Sequence, residues 1–195
     1  MLNQGIEDWV IRRASVADAP AVLQVFDEVI AWFVSIGNEG QWGTEPWSAV
    51  PRRVAQAAEA CAMPDAWVVE GPDGRVRAAL VLGESMPYVP AATEPEIYVR
   101  WLIAARDARG GGRRLLAFAE DRARAEGVSR MRVDCYGGGT GDLVRFYESC
   151  VMSDSQPSTW TVGRASCWGA IFDEPARASS ISRITAHGKA VTPQP

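Results

Sequence analysis

Apolar positions along the chain change spacing several times, and each change marks a candidate element. Trp9 to Arg13 alternates like a short β-strand. Ser15, with Asp18 three residues on and Pro20 close behind, is a helix-start signal. Val22, Val25, Phe26, Val29, Ile30 and Phe33 then recur at spacings of three and four, which predicts a first helix stopped by Gly37. Gln41, Trp42 and Trp47 follow in a loop punctuated by Gly and Pro, before a second, Ala-rich helix predicted from Pro51 to Ala62. The two tryptophans have two readings, a cover over a ligand pocket or plugs under a long connection.

Ala66 to Glu70 and Val76 to Gly83 read as a hairpin joined by Gly71-Pro72-Asp73-Gly74. A Pro-rich loop from Pro87 to Pro95 leads to a strand from Glu96 to Ala104, which ends in Arg106-Asp107-Ala108-Arg109-Gly110-Gly111-Gly112. Leu115, Leu116, Phe118, Ala119 and Ala123 mark the amphipathic helix that follows and stops at Gly127. Arg130 to Tyr136 is the next strand, Gly137 to Gly141 a loop, and Leu143 to Cys150 a short helix. Trp160 to Val162 and Trp168 to Phe172 are expected to close the sheet as two further strands. Past Asp173 no apolar period remains, so the expected organisation is one domain over residues 1–172 and a flexible tail over 173–195.

A chain of 195 residues with 47% hydrophobic residues is long enough for one domain with a full core. Its one histidine, His187, lies in the polar C-terminal stretch, which removes Ser-His-Asp and Cys-His catalysis and a His-based metal site from the body of the domain. Cys61, Cys135, Cys150 and Cys167 never approach Cys-x-x-Cys spacing and read as reduced, mostly buried thiols. Neither a signal peptide nor an apolar run of membrane-spanning length is present, so a cytoplasmic protein with no membrane partner is expected. Nineteen arginines to one lysine reflect the codon bias of a GC-rich, bacterial-type genome. Arg100 to Arg132 carries nine of those arginines against four acids, a local +5 that leaves −9 for the rest of a chain of net −4. That balance argues against a nucleic-acid partner and for a local anionic ligand.

A strand, a Gly-rich turn and a helix in direct succession are suited to holding a pyrophosphate, because glycine lets backbone N–H groups approach and the helix start adds partial positive charge. Gly110, Gly111, Gly112, Arg113 and Arg114 fit this device, although no Gly-Lys-Ser/Thr follows as in a P-loop. The order of elements from Trp9 to Phe172 resembles the GNAT superfamily of N-acetyltransferases. Asp107-x-x-Gly110-x-Gly112 is similar to its acyl-CoA pyrophosphate motif, Gln/Arg-x-x-Gly-x-Gly/Ala, and Phe146-Tyr147-Glu148 to its C-terminal Tyr-Glu signature. Ser35 to Trp42, with Gly37 and Gln41-Trp42, is similar to members whose first helix ends in Gly-x-x-x-Gln-Trp. The chain departs from the pattern at Asp107, where Gln or Arg is usual, and at Val151-Met152 in place of Gly-Phe. An acid beside a pyrophosphate is unfavourable, so either Arg106 or Arg109 takes over the contact or CoA binding is weakened.

The resemblance implies an α+β domain of the GNAT fold: a central mixed, mostly antiparallel twisted sheet flanked by helices, with an acyl-CoA cleft between two splayed parallel strands. It implies acetyl-CoA as cosubstrate and a primary amine of a small molecule as acceptor, with direct attack of the amine on the thioester. Backbone groups of Leu102, Ile103 and Ala104 would bind the pantetheine and the thioester carbonyl. The N–H groups of Arg109, Gly110, Gly111, Gly112, Arg113 and Arg114 would cradle the phosphates, with Thr140 a further cofactor contact. Tyr147 is the expected acid for the departing thiolate; with no usable histidine the base is a carboxylate, a water chain or none at all, Glu96 being the first candidate and Asp134 the second. A homodimer is the habit of the superfamily. The alternative is a GNAT-fold CoA-binding or regulatory protein impaired in catalysis, and a third reading is acylation of a protein or an aminoacyl-tRNA.

Overall fold

A computed structural model of the chain describes residues 8–87, 89–137, 141–151 and 159–165. The elements run β1 (Val10–Arg13), a 3-10 turn (Val16–Asp18), α1 (Ala19–Ser35), a second such turn (Trp47–Ala49), α2 (Pro51–Cys61), β2 (Ala66–Glu70) and β3 (Val76–Gly83). They continue with β4 (Ile97–Ala104), α3 (Gly111–Ala125), β5 (Arg130–Tyr136), α4 (Asp142–Val151) and β6 (Thr159–Ala165). Every element expected up to Cys150 is present, β2, β3 and β5 with the expected ends and the others slightly shifted. The last of the anticipated strands, Trp168 to Phe172, lies outside the described residues, as do Thr140 and the tail 173–195. No helix among the described residues is long and apolar enough to cross a membrane.

The strands are hydrogen-bonded in the order β1-β2-β3-β4-β5-β6. β1·β2 and β2·β3 are antiparallel, whereas β4·β5 and β5·β6 are parallel. The sheet is therefore mixed, as expected, with β1 to β3 antiparallel and β4 to β6 parallel. The connections explain this: β2 and β3 are joined by a tight turn, while α3 and α4 each carry the chain back before the next strand starts.

The chain divides into two compact units, one of Met1–Glu39, Gly43–Leu82 and Arg100–Ala117, the other of Gly40–Trp42, Gly83–Val99 and Phe118–Pro195. In the first, the inward positions of α1 are buried as its three-and-four spacing requires, and Gly37 ends it at φ 72°. Trp47 is a core plug: it stacks on Phe26 with ring centroids 4.1 Å apart, meets the edge of Trp101 at 5.9 Å, and takes the buried Arg53 guanidinium on its ring at 4.6 Å. Arg12 joins the start of the first helical segment to the hairpin, donating to Asp18 at 2.8 Å and 3.0 Å and to Glu70 at 2.8 Å.

In the second unit β5 alternates strictly. Met131, Val133 and Cys135 are buried on one face, and Arg130, Arg132, Asp134 and Tyr136 occupy the other. This polar face is covered by its own unit. Arg132 donates to the Pro90 carbonyl at 2.7 Å and pairs with Glu96, and Arg130 donates to Glu94 at 3.0 Å. A Cβ at Gly40 would collide with the Tyr136 hydroxyl, so the loop passes this ring only as glycine.

Candidate functional site

The Gly-rich turn belongs to the first unit, where it is built onto β3 and the end of β4. The Ala105 N–H donates to the Arg77 carbonyl at 2.7 Å, the Ala108 N–H to the Ala105 carbonyl at 3.0 Å, and the Gly111 N–H to the Ala108 carbonyl at 2.8 Å. Gly110 has φ 86°, a left-handed conformation that opens the turn into α3 and that a side chain would strain. A Cβ at Gly111 would lie in ordinary contact with Ala78, Ala104 and Ala108, which seats the helix start close to β3 and β4.

This geometry corrects part of the expected phosphate cradle. Two of its amides are used inside the turn, Gly111 toward Ala108 and Arg114 toward the Gly110 carbonyl at 3.0 Å. The backbone donors of Gly111 and Arg114 are therefore committed within the turn. Leu102 and Ala104 on β4 are half-buried and Ile103 is buried, in keeping with their alternation along a strand.

Asp107, the acid that departs from the motif, is held by Arg77, whose Nη1 donates to its carboxylate at 2.8 Å. Arg106 lies over the Trp32 ring at 3.8 Å, and Arg109 is exposed. Of the two arginines expected to replace the missing contact, one is thus committed to an aromatic face.

The remaining expected residues fall in the second unit. Tyr147 on α4 is buried, 5% exposed. Burial first, and then the neighbouring Cys135, Asp134 and Cys150, hold its phenol well above the ordinary tyrosine range. The group keeps its proton throughout the physiological range. The Tyr98 hydroxyl, fully buried on β4, donates to the Asp134 carboxylate.

Glu96 immediately precedes β4 and stands between two arginines, paired with Arg132 and 3.4 Å from Arg130 Nε. Its side chain is 9% exposed and Oε2 lacks a hydrogen bond. A carboxylate shared by two guanidiniums serves as an anchor, and the role of base expected for Glu96 is not what this arrangement favours. The spacing Glu96, Tyr98 on one strand and Arg130, Arg132 on the next already contained this cluster, but pairing across strands depends on register, which sequence alone did not supply.

No protein-family model and no curated protein matches the chain. Solved structures do. A GNAT-family acetyltransferase from Listeria monocytogenes superposes with a TM-score of 0.53 at 16% identity, over 77% of this chain and 90% of its own. The chain has the GNAT fold. A tetramutant of a Bacillus halodurans protein gives a TM-score of 0.52 at 21% identity, over 75% of this chain and 96% of its own. A provisional phosphinothricin N-acetyltransferase gives 0.52 at 21% identity, over 72% and 81%. The anticipated α+β sheet flanked by helices is the GNAT arrangement that these neighbours share.

Proposed function

We propose that this chain is an acetyl-CoA-dependent N-acetyltransferase acting on the primary amine of a small molecule. The observation that carries the reading is the turn at Gly110, which in a GNAT fold starts α3 with a left-handed glycine, and whose one acid is paired with Arg77. The amides of Gly110 and Gly112 would meet the pyrophosphate, assisted by the positive end of the α3 dipole. The side chains of Arg109, Arg113 and Arg114 would add charge. Backbone groups of Leu102, Ile103 and Ala104 would hold the pantetheine arm and the thioester carbonyl.

The step is direct transfer. The lone pair of a neutral amine attacks the thioester carbon, the C–S bond breaks, and the thiolate leaves with a proton. Tyr147 supplies that proton or a hydrogen bond, a role that suits a phenol kept protonated by burial. A backbone donor aimed at the developing oxyanion would contribute about 3 kcal/mol. The amine's own proton goes to solvent, solvent returns one to Tyr147, and Glu96 takes no part in the step.

Calorimetric titration with CoA, followed by thiol release from acetyl-CoA over a panel of small amines, tests this reading. Micromolar CoA affinity and amine-dependent thiol release are expected. Affinity without release on any amine would favour the CoA-binding, regulatory alternative, and absence of affinity in folded protein would remove both. Introducing a bulky residue at Gly112, whose φ is not left-handed, should abolish binding and leave the fold intact.

A further inference from the structure

The acid at position 107 raises a physical question. A carboxylate within a turn meant for a pyrophosphate repels the ligand unless a cation holds it. We propose that Arg77 is a positioning residue for this turn and acts through Asp107, offsetting the acid's charge and fixing the turn against β3. The inference rests on the reading of the turn as the CoA phosphate site.

Several observations converge on Arg77. Its guanidinium is 15% exposed and bridges two carboxylates, Asp73 at 3.0 Å and Asp107 at 2.8 Å. Asp73 is itself oriented, because it accepts the Arg75 N–H at 3.1 Å, so the guanidinium is held from the hairpin side before it reaches Asp107. The Arg77 carbonyl accepts the Ala105 N–H at 2.7 Å, which starts the chain of turn bonds through Ala108 to Gly111. The neighbouring Ala78 forms part of the floor beneath Gly111. One strand segment, Arg77-Ala78, therefore supports both ends of the turn, by backbone, by side chain and by shape. An exposed ion pair contributes little to stability. Its consequence here is placement, which acts on ligand affinity through preorganisation.

A positioning Arg77 affects its variants asymmetrically, as a merely stabilising ion pair would not. Arg77→Ala leaves Asp107 as a bare acid and should weaken CoA binding on the order of tenfold. Asp107→Asn removes the bridge and the acid together and should weaken it less than about threefold. Adding Asp107→Asn to Arg77→Ala should recover affinity relative to Arg77→Ala alone. Pantetheine, which has no pyrophosphate, should bind all variants as it binds the wild type. Should Arg77→Ala fail to fold, Arg77→Gln preserves much of the side-chain length, removes the charge and carries the same expectation.

The measurement is calorimetric titration of CoA and of pantetheine into each variant, with thermal melts confirming the fold. Unchanged CoA affinity in folded Arg77→Ala or Arg77→Gln overturns the inference, as does an equal loss for pantetheine. A wild type that binds no CoA fails earlier, before any variant is made, and overturns the CoA reading together with the inference that rests on it.

Discussion

The Tyr98 hydroxyl donates to the Asp134 carboxylate across the β4·β5 pair. The register places Tyr98 opposite Arg132, so Asp134 lies two residues further along on the same face, within a diagonal side-chain's reach. The Arg132 guanidinium lies 5.6 Å from the centre of the Tyr98 ring. An aromatic residue with no exposed surface is thereby tied to the charged face of β5 by its one polar atom.

Tyr98→Phe should therefore lower unfolding stability by about 1.5–3 kcal/mol, the usual value of a bond to a charged acceptor, with little change in packing volume. Urea denaturation followed by circular dichroism measures it. A variant as stable as wild type would mean that water satisfies Asp134 equally well.

Tyr147 offers a separate test in kinetics. Tyr147→Phe should reduce turnover on the order of 10- to 1000-fold while leaving CoA affinity nearly unchanged, because an acid acts on the developing thiolate. Burial raises the phenol's pKa, so the deprotonated form gains no population near pH 10, where a free tyrosine would ionise. The wild-type rate should accordingly show no falling limb up to that pH. A falling limb that disappears in Tyr147→Phe would place the Tyr147 ionisation in the ordinary range.

Acid stability depends on Asp18. Its carboxylate accepts two bonds from Arg12, and Ser15 adds its N–H at 2.8 Å and its hydroxyl at 3.0 Å. The Arg12 bonds, opposed by burial and reinforced by Ser15, lower its pKa. A depressed folded-state value stabilises the protein above the unfolded pKa of about 4, and that contribution is lost as pH falls through the folded value. Asp18→Asn should cost about 1–2 kcal/mol at pH 7, a figure limited by the partial exposure of Arg12. Below about pH 4 the gap between variant and wild type should narrow, and denaturation curves at pH 7 and pH 3 read the difference.

Local signals accounted for the elements well. The three-and-four spacing of α1, the hairpin with its left-handed Gly74 and the strict alternation of β5 each encode structure within a short window. What the windows could not carry was pairing. Whether Trp47 covered a pocket or filled a core depended on Phe26 and Trp101, which are distant in sequence. Asp107 read as a defect of the motif because its partner, Arg77, sits 30 residues away on β3. The parallel β6 depended on the direction in which α4 returns the chain, and Glu96 took its place through arginines two strand positions apart on β5.

Gly40 tests one such distant pairing directly. Its backbone is not left-handed, so an alanine would be conformationally acceptable there, and the residue is exposed. What forbids the methyl is the Tyr136 hydroxyl, nearer to the Cβ position than real Cβ contacts come. A phenol has no soft end like a lysine; relief requires the ring or the loop to shift, which overpacking data put at about 1–3 kcal/mol. Gly40→Ala should destabilise the protein by that order, and Tyr136→Phe, which removes the colliding oxygen, should recover most of the loss in the double variant. Additive effects of the two substitutions in thermal or urea unfolding would show that the loop does not rest on Tyr136.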